Sequence, residues 1–120
     1  MREIKFRVWD KESKYFCVNP EDYNMDYFMY MDGDLYWDGN PVEKDRYEIM
    51  QFTGLKDNNG KEIYEGDIIH CYMGKYCEVT NKIFFFEGSF CLYNLGIFSK
   101  ENADNSEIIG NIYENPELIK

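Results

Sequence analysis

One histidine, four cysteines and several acidic clusters are the groups in this chain with the chemistry to act. His70 falls on the predicted strand 67–73, on its outward face. A general base needs an orienting carboxylate within hydrogen-bond reach, and Asp67, three residues back, lies on the opposite face of a regular strand. The expectation is a surface histidine. Cys17, Cys71, Cys77 and Cys91 are unevenly spaced and lack the close Cys-x-x-Cys pairing of zinc sites. They read as reduced structural thiols, although Cys71 and Cys77 would approach each other across a tight hairpin beside His70. Asp57-Asn58-Asn59-Gly60 followed by Glu62 has the composition of a calcium loop but not its order. An EF-hand needs glycine sixth and a bidentate glutamate twelfth; here glycine comes fourth, so the run reads as a turn. The aspartates over 32–38 have oxygens enough for Mg²⁺ or Ca²⁺, yet no fixed ligand geometry, and a solvated acidic face accounts for them. No Ser/His/Asp set, phosphate loop or dinucleotide fingerprint is present. The expectation is no enzyme, no catalytic residue, no metal and no cofactor.

The formal net charge is −10 and the pI near 4.5. Such a surface repels phosphate backbones, which disfavours nucleic acid as a partner. The first residues are charged with no apolar core of a leader, and no window approaches a membrane span, so the expected setting is cytoplasmic, away from membranes. Hydrophobic residues make up 44% and aromatics 18% of the 120 residues, enough to fill the core of one small domain.

The elements that must position these groups are mainly β. Residues 1–18 alternate and turn at Asp10–Ser13, giving an N-terminal hairpin closed by Asn19-Pro20. Residues 19–48 form an arm with nine acidic and two basic side chains. Its turn signals predict pairing of 27–31 with 35–37, and a brief helix over 20–25 is consistent with Asn19 as cap. Tyr27, Tyr30, Asp32, Asp34, Trp37 and Asp38 are the candidate partner-binding residues, since aromatics among carboxylates suit a basic partner. The alternative is that the aromatics cover the barrel as a second core layer. Residues 49–120 supply the barrel core and C-terminal strand: a strand over 47–53, a hairpin of 67–73 with 75–80, strands at 83–86 and 89–94, a polar loop at 100–106, and a last strand interrupted by Gly110. Gly54, Asp57, Asn59, Gly60, Gly66 and Asp67 are read as a structural turn motif, with Asn-Gly as the strongest hairpin signal. Short strands at this spacing predict a closed SH3-type barrel.

Three blocks, residues 1–10 (MREIKFRVWD), 51–67 (QFTGLKDNNGKEIYEGD) and 108–118 (IIGNIYENPEL), resemble the YopX family of phage and prophage proteins. The resemblance implies a phage or prophage origin, a bacterial host cell, an SH3-type barrel with added strands, and no assigned catalytic residues. Residues 19–48 and those after Met73 match the pattern poorly and are where different partners would be met. The first fourteen residues carry five basic and three acidic side chains. A weakly basic hairpin beside a strongly acidic arm is self-complementary, and head-to-tail contact between copies would satisfy both, giving a homo-oligomer. The leading functional expectation is an oligomeric accessory protein that binds a host or phage protein. The alternatives are a nucleic-acid-binding barrel using Tyr72, Tyr76, Phe85 and Phe90 as stacking platforms, and an acidic counter-defence protein that imitates nucleic acid or sequesters a small ligand.

Overall fold

The computed structural model describes residues 3–19, 27–29, 35–37, 40–75 and 77–119. It is mainly β. The strands are β1 Phe6–Asp10, β2 Tyr15–Val18, β3 Tyr27–Met29, β4 Leu35–Trp37, β5 Asn40–Pro41, β6 Tyr47–Lys56, β7 Glu62–Tyr64, β8 Asp67–Tyr72, β9 Glu78–Phe86, β10 Ser89–Leu92, β11 Gly96–Ile97 and β12 Ser106–Asn111. A short helix α1, Lys100–Asp104, and 3₁₀ turns at Lys44–Arg46 and Pro116–Ile119 complete the described elements. The chain forms two compact units, residues 5–51 and residues 1–4 with 52–120. The expected helix over 20–25 lies outside the described residues.

In the first unit β1 is flanked by β2 on one side and the 47–51 half of β6 on the other. The N-terminal strand is therefore interior, and β2 carries the edge. A register shift against β2 between Val8 and Trp9 breaks the alternation expected from sequence. Val8, Trp9 and Asp10 are consequently all buried. Val8, Cys17 and Leu35 form this unit's core, with Val42, Tyr47 and Ile49 packed around them. β3, β4 and β5 make a separate three-stranded sheet in which Tyr27 pairs with Trp37 and Met29 with Leu35.

The second unit holds a five-stranded antiparallel sheet in the order β11-β10-β9-β8-β12. Strand β9 is one nine-residue strand where sequence suggested two. Its first half pairs with β8, ending at Lys82, and its second half pairs with β10 from Ile83 onward. Asn81 and Lys82 mark that hand-over. The curled sheet encloses Ile63, Ile69, Cys71, Ile83, Leu92, Phe98 and Ala103, as a small barrel does. Ala103 reaches this core from α1, in the segment expected to be a polar loop. Ser99 and Asn102 cap that helix reciprocally, so a polar run supplies its own N-terminal acceptors.

The 57–60 turn does more than reverse the chain. Asp57 is 5% exposed, and its Oδ1 accepts the amides of Asn59 and Lys61, each at 2.9 Å. Its Oδ2 accepts the amide of Ile108 at 3.0 Å, and the Asn58 amide donates to the Ser106 carbonyl at 2.9 Å. Ser106 and Ile108 lie on β12, the edge strand, so the turn caps that edge. The closing block is organised in the same way. Asn111 Oδ1 accepts the amides of Tyr113 and Glu114, and Asn115 Oδ1 accepts the amide of Asn111. A Cβ at Gly110 would stand 2.5 Å from Asn115 Oδ1, which explains glycine at the β12 bulge.

Replacing Asp57 by Ala removes the acceptor of three part-buried backbone donors, and an unsatisfied donor held from water costs of the order of 1–3 kcal/mol. Asp57→Ala is expected to lower stability in urea unfolding by about 3 kcal/mol or more, with Asp57→Asn retaining part of it. A loss under about 0.5 kcal/mol for the alanine variant would show that the bracket carries no weight.

Candidate partner-binding site

The arm residues singled out by sequence are only partly described. The backbones of Tyr27 and Trp37 pair across β3 and β4, while Tyr30, Asp32, Asp34 and Asp38 lie outside the described residues. What the structure describes beyond these is the end of the arm, residues 40–47 apart from the Lys44 side chain, together with the turn between β1 and β2.

That turn is built on Asp10, which is 1% exposed. Its Oδ1 accepts the amides of Glu12 and Ser13 at 3.0 and 3.2 Å, an Asx-type turn, and Lys14 closes it at φ 58°. Arg46 then meets the same carboxylate with two prongs, Nε on Oδ1 at 2.9 Å and Nη2 on Oδ2 at 2.8 Å. Its guanidinium also lies 5.3 Å from the centre of the Tyr47 ring, and its Nη1 is 3.5 Å from Glu12 Oε2. The Lys11 amide donates to the Arg46 carbonyl at 2.9 Å, so backbone and side chain of Arg46 both hold the turn. Beside this clamp lies a cavity of about 310 Å³ bounded by Glu12, Pro41, Val42, Glu43, Arg46 and Tyr47. Sequence reading found the Asp10 turn but not Arg46 as its partner, thirty-six positions away; an aspartate opening a turn is the one local sign that a buried acceptor is present.

His70 sits in different surroundings from those expected. The carboxylate comes not from its own strand but from the next: Nε2 faces Glu78 Oε2 at 3.1 Å and Nδ1 faces Thr80 Oγ1 at 2.5 Å. The register pairs His70 with Thr80 and with Glu107 on its two neighbouring strands, and the Tyr72 ring packs edge-on against the imidazole. Hydroxyl, imidazole and carboxylate in a row have the order of a nucleophile relay. The cluster ties β8 to β9 across the ladder. The parity of the predicted hairpin already placed His70 and Glu78 on one face, and that was the signal available in the sequence.

The proposed stacking residues are not brought together. Tyr72 shares its face with His70 and Glu78, whereas Phe85, itself exposed, pairs with the buried Phe90 on the opposite face; Tyr76 lies outside the described residues. Cys17, Cys71 and Cys91 are buried free thiols, and Cys77 is exposed in the connection between β8 and β9 rather than opposite Cys71, whose partner is Val79. Among the described residues no group of three or more His, Cys, Asp or Glu side chains is placed to share a metal ion. Among them, too, no helix is long and apolar enough to cross a membrane.

The clamp has a definite pH signature. Hydrogen bonding from Arg46, helped by the Ser13 and Glu12 amides and opposed by burial, holds the Asp10 carboxyl down at about 2, from an ordinary 3.8. A depressed folded-state value stabilises the protein above the unfolded-state value and loses that contribution as pH falls through the folded-state one. At about 1.4 kcal/mol per unit, the contribution is roughly 2 kcal/mol. Asp10→Asn is therefore expected to be less stable than the parent by at least roughly 2 kcal/mol at pH 6, with the gap narrowing between pH 4 and pH 2. Urea titrations at both ends of that window check it, and a gap that does not change with pH contradicts it.

A family model described as YopX protein matches residues 5–120. The crystal structure of protein EF1440 from Enterococcus faecalis is similar over 100% of both chains, with 30% identity and a TM-score of 0.69. No curated protein matches the chain. A family match over essentially the whole chain and a shared fold at that identity lead to one conclusion: the chain belongs to the YopX family.

Proposed function

We propose that this is a non-enzymatic accessory protein of phage or prophage origin that works in the cytoplasm of a bacterial host, assembles as a homo-oligomer, and binds a host or phage protein through the acidic, aromatic arm of residues 19–48. One observation carries this reading. In the three blocks that mark the family, the buried polar groups Asp10, Asp57 and Asn111 accept backbone amides and so serve the fold. By sequence, residues 19–48 hold nine acidic side chains against two basic ones. Aromatic side chains among carboxylates offer large contact area at low entropic cost and an electrostatic match to a basic surface.

A nucleic-acid role has less support. A net charge of −10 opposes it, and Tyr72 lies on the opposite face from the Phe85–Phe90 pair. A counter-defence role as an acidic mimic is a special case of the same reading, in which the partner is a protein with a basic groove.

Substituting Tyr27, Tyr30 and Trp37 together by Ser is expected to leave the thermal unfolding midpoint of the barrel near that of the parent while abolishing co-purification of the protein partner from infected cells. A folded triple variant that retains the same partner rules out the arm as the recognition surface. Light scattering at low and high salt is expected to give a closed oligomer that loosens as salt rises. A salt-independent monomer would overturn the assembly half of the proposal.

A further inference from the structure

The cavity beside the Asp10 turn has a charge pattern that selects its occupant. Arg46 forms part of its wall, but its guanidinium is committed by two short hydrogen bonds to the buried Asp10 carboxylate and rests on Tyr47. Its charge is thus balanced from beneath. The carboxylates at the rim belong to Glu12 and Glu43. Glu12 has a side chain 74% exposed and touches Arg46 only at 3.5 Å, an ion pair worth well under about 1 kcal/mol at such exposure. Glu43 is exposed as well. The remaining wall is mixed: Asn40 adds a polar side chain, and Pro41, Val42 and the Tyr47 ring supply an apolar strip long enough for a hydrocarbon stem.

An apolar strip ending at two carboxylates fits a side chain with a hydrocarbon stem and a cationic head, the stem packing on the wall and the head remaining at the wet rim. A phosphate or carboxylate entering the same space would approach two like charges on a chain already at −10. A purely apolar side chain would desolvate the rim carboxylates without pairing them. The geometry points to this cavity as a recognition subsite for a lysine or arginine side chain of the partner protein. The assignment rests on the protein-binding reading above and adds the chemistry of one contact. The Asp10–Arg46 clamp is the device that presents it: the buried pair fixes the turn, the turn sets Glu12 at the rim, and Tyr47 follows Arg46 directly into β6.

The test titrates the full chain, followed through its backbone amide resonances, with four small probes: the N-acetyl amides of lysine, arginine, norleucine and glutamate. The lysine and arginine probes are expected to give saturable shifts at Val42, Glu43 and Tyr47. Norleucine, which has the stem without the charge, and glutamate are expected to bind at least fivefold more weakly. In Glu12→Gln/Glu43→Gln, affinity for the basic probes is expected to fall about tenfold, while resonances away from the cavity stay in place and report an intact fold. Silence from all four probes overturns the assignment, as does equal binding of norleucine or glutamate, or unchanged lysine binding in the double variant. Its failure is separable from failure of the broader reading. Lost probe binding with retained partner capture removes this subsite alone, and retained probe binding with no loss of partner in the arm variant removes the arm alone.

Discussion

A single buried carboxylate, Asp57, brackets the barrel. Carboxyl groups are rarely buried unless donors surround them, and here the donors are backbone amides of Asn59, Lys61 and Ile108, the last fifty-one positions along the chain. The local pair shapes the turn between β6 and β7. The distant one fastens the turn to β12. An edge strand exposes a row of unpaired backbone groups, and the Asp57–Asn58 turn takes up the outward amide of Ile108 and the outward carbonyl of Ser106. With β12 fixed against β8, the core of Ile63, Ile69, Cys71, Ile83 and Leu92 is enclosed.

The same device recurs. Asp10 gathers the amides of Glu12 and Ser13, Asp67 accepts the amide of Tyr64, and Asn111 gathers those of Tyr113 and Glu114. Each lies in one of the three blocks by which the chain is recognised as a YopX protein. These residues have side chains that elsewhere perform catalysis or hold metals, and here they terminate backbone. In this protein Asp10, Asp57, Asp67 and Asn111 are architectural, and the proposed recognition surfaces lie elsewhere.

The parts of this arrangement that were legible in sequence are the local ones. The Asn59-Gly60 turn, the Asp10 turn, the β8–β9 hairpin and the glycine interruption at Gly110 all act within a few residues, and the small-barrel architecture follows from their spacing. The rest depends on contacts between distant positions. Nothing near Asp10 names Arg46, and nothing near Asp57 names Ile108. Asn81 and Lys82 look like a break because they are polar, yet they are the point where β9 exchanges β8 for β10 as its partner. Helix α1 was hidden for the opposite reason: five residues are too few for a periodic pattern, and only the Ser99–Asn102 cap and the burial of Ala103 make it a helix. His70 was placed on the correct face, but its carboxylate was sought along the strand rather than across the ladder.

Native-state hydrogen exchange at the Ile108 amide reports whether Asp57 holds the edge of the barrel, because that proton points away from β8 and toward the carboxylate. Ile108 is expected to exchange as slowly as the interior amides of β8, opening only with global unfolding. Exchange at Ile108 as fast as at the exposed tip of the Glu87-Gly88 turn would contradict it.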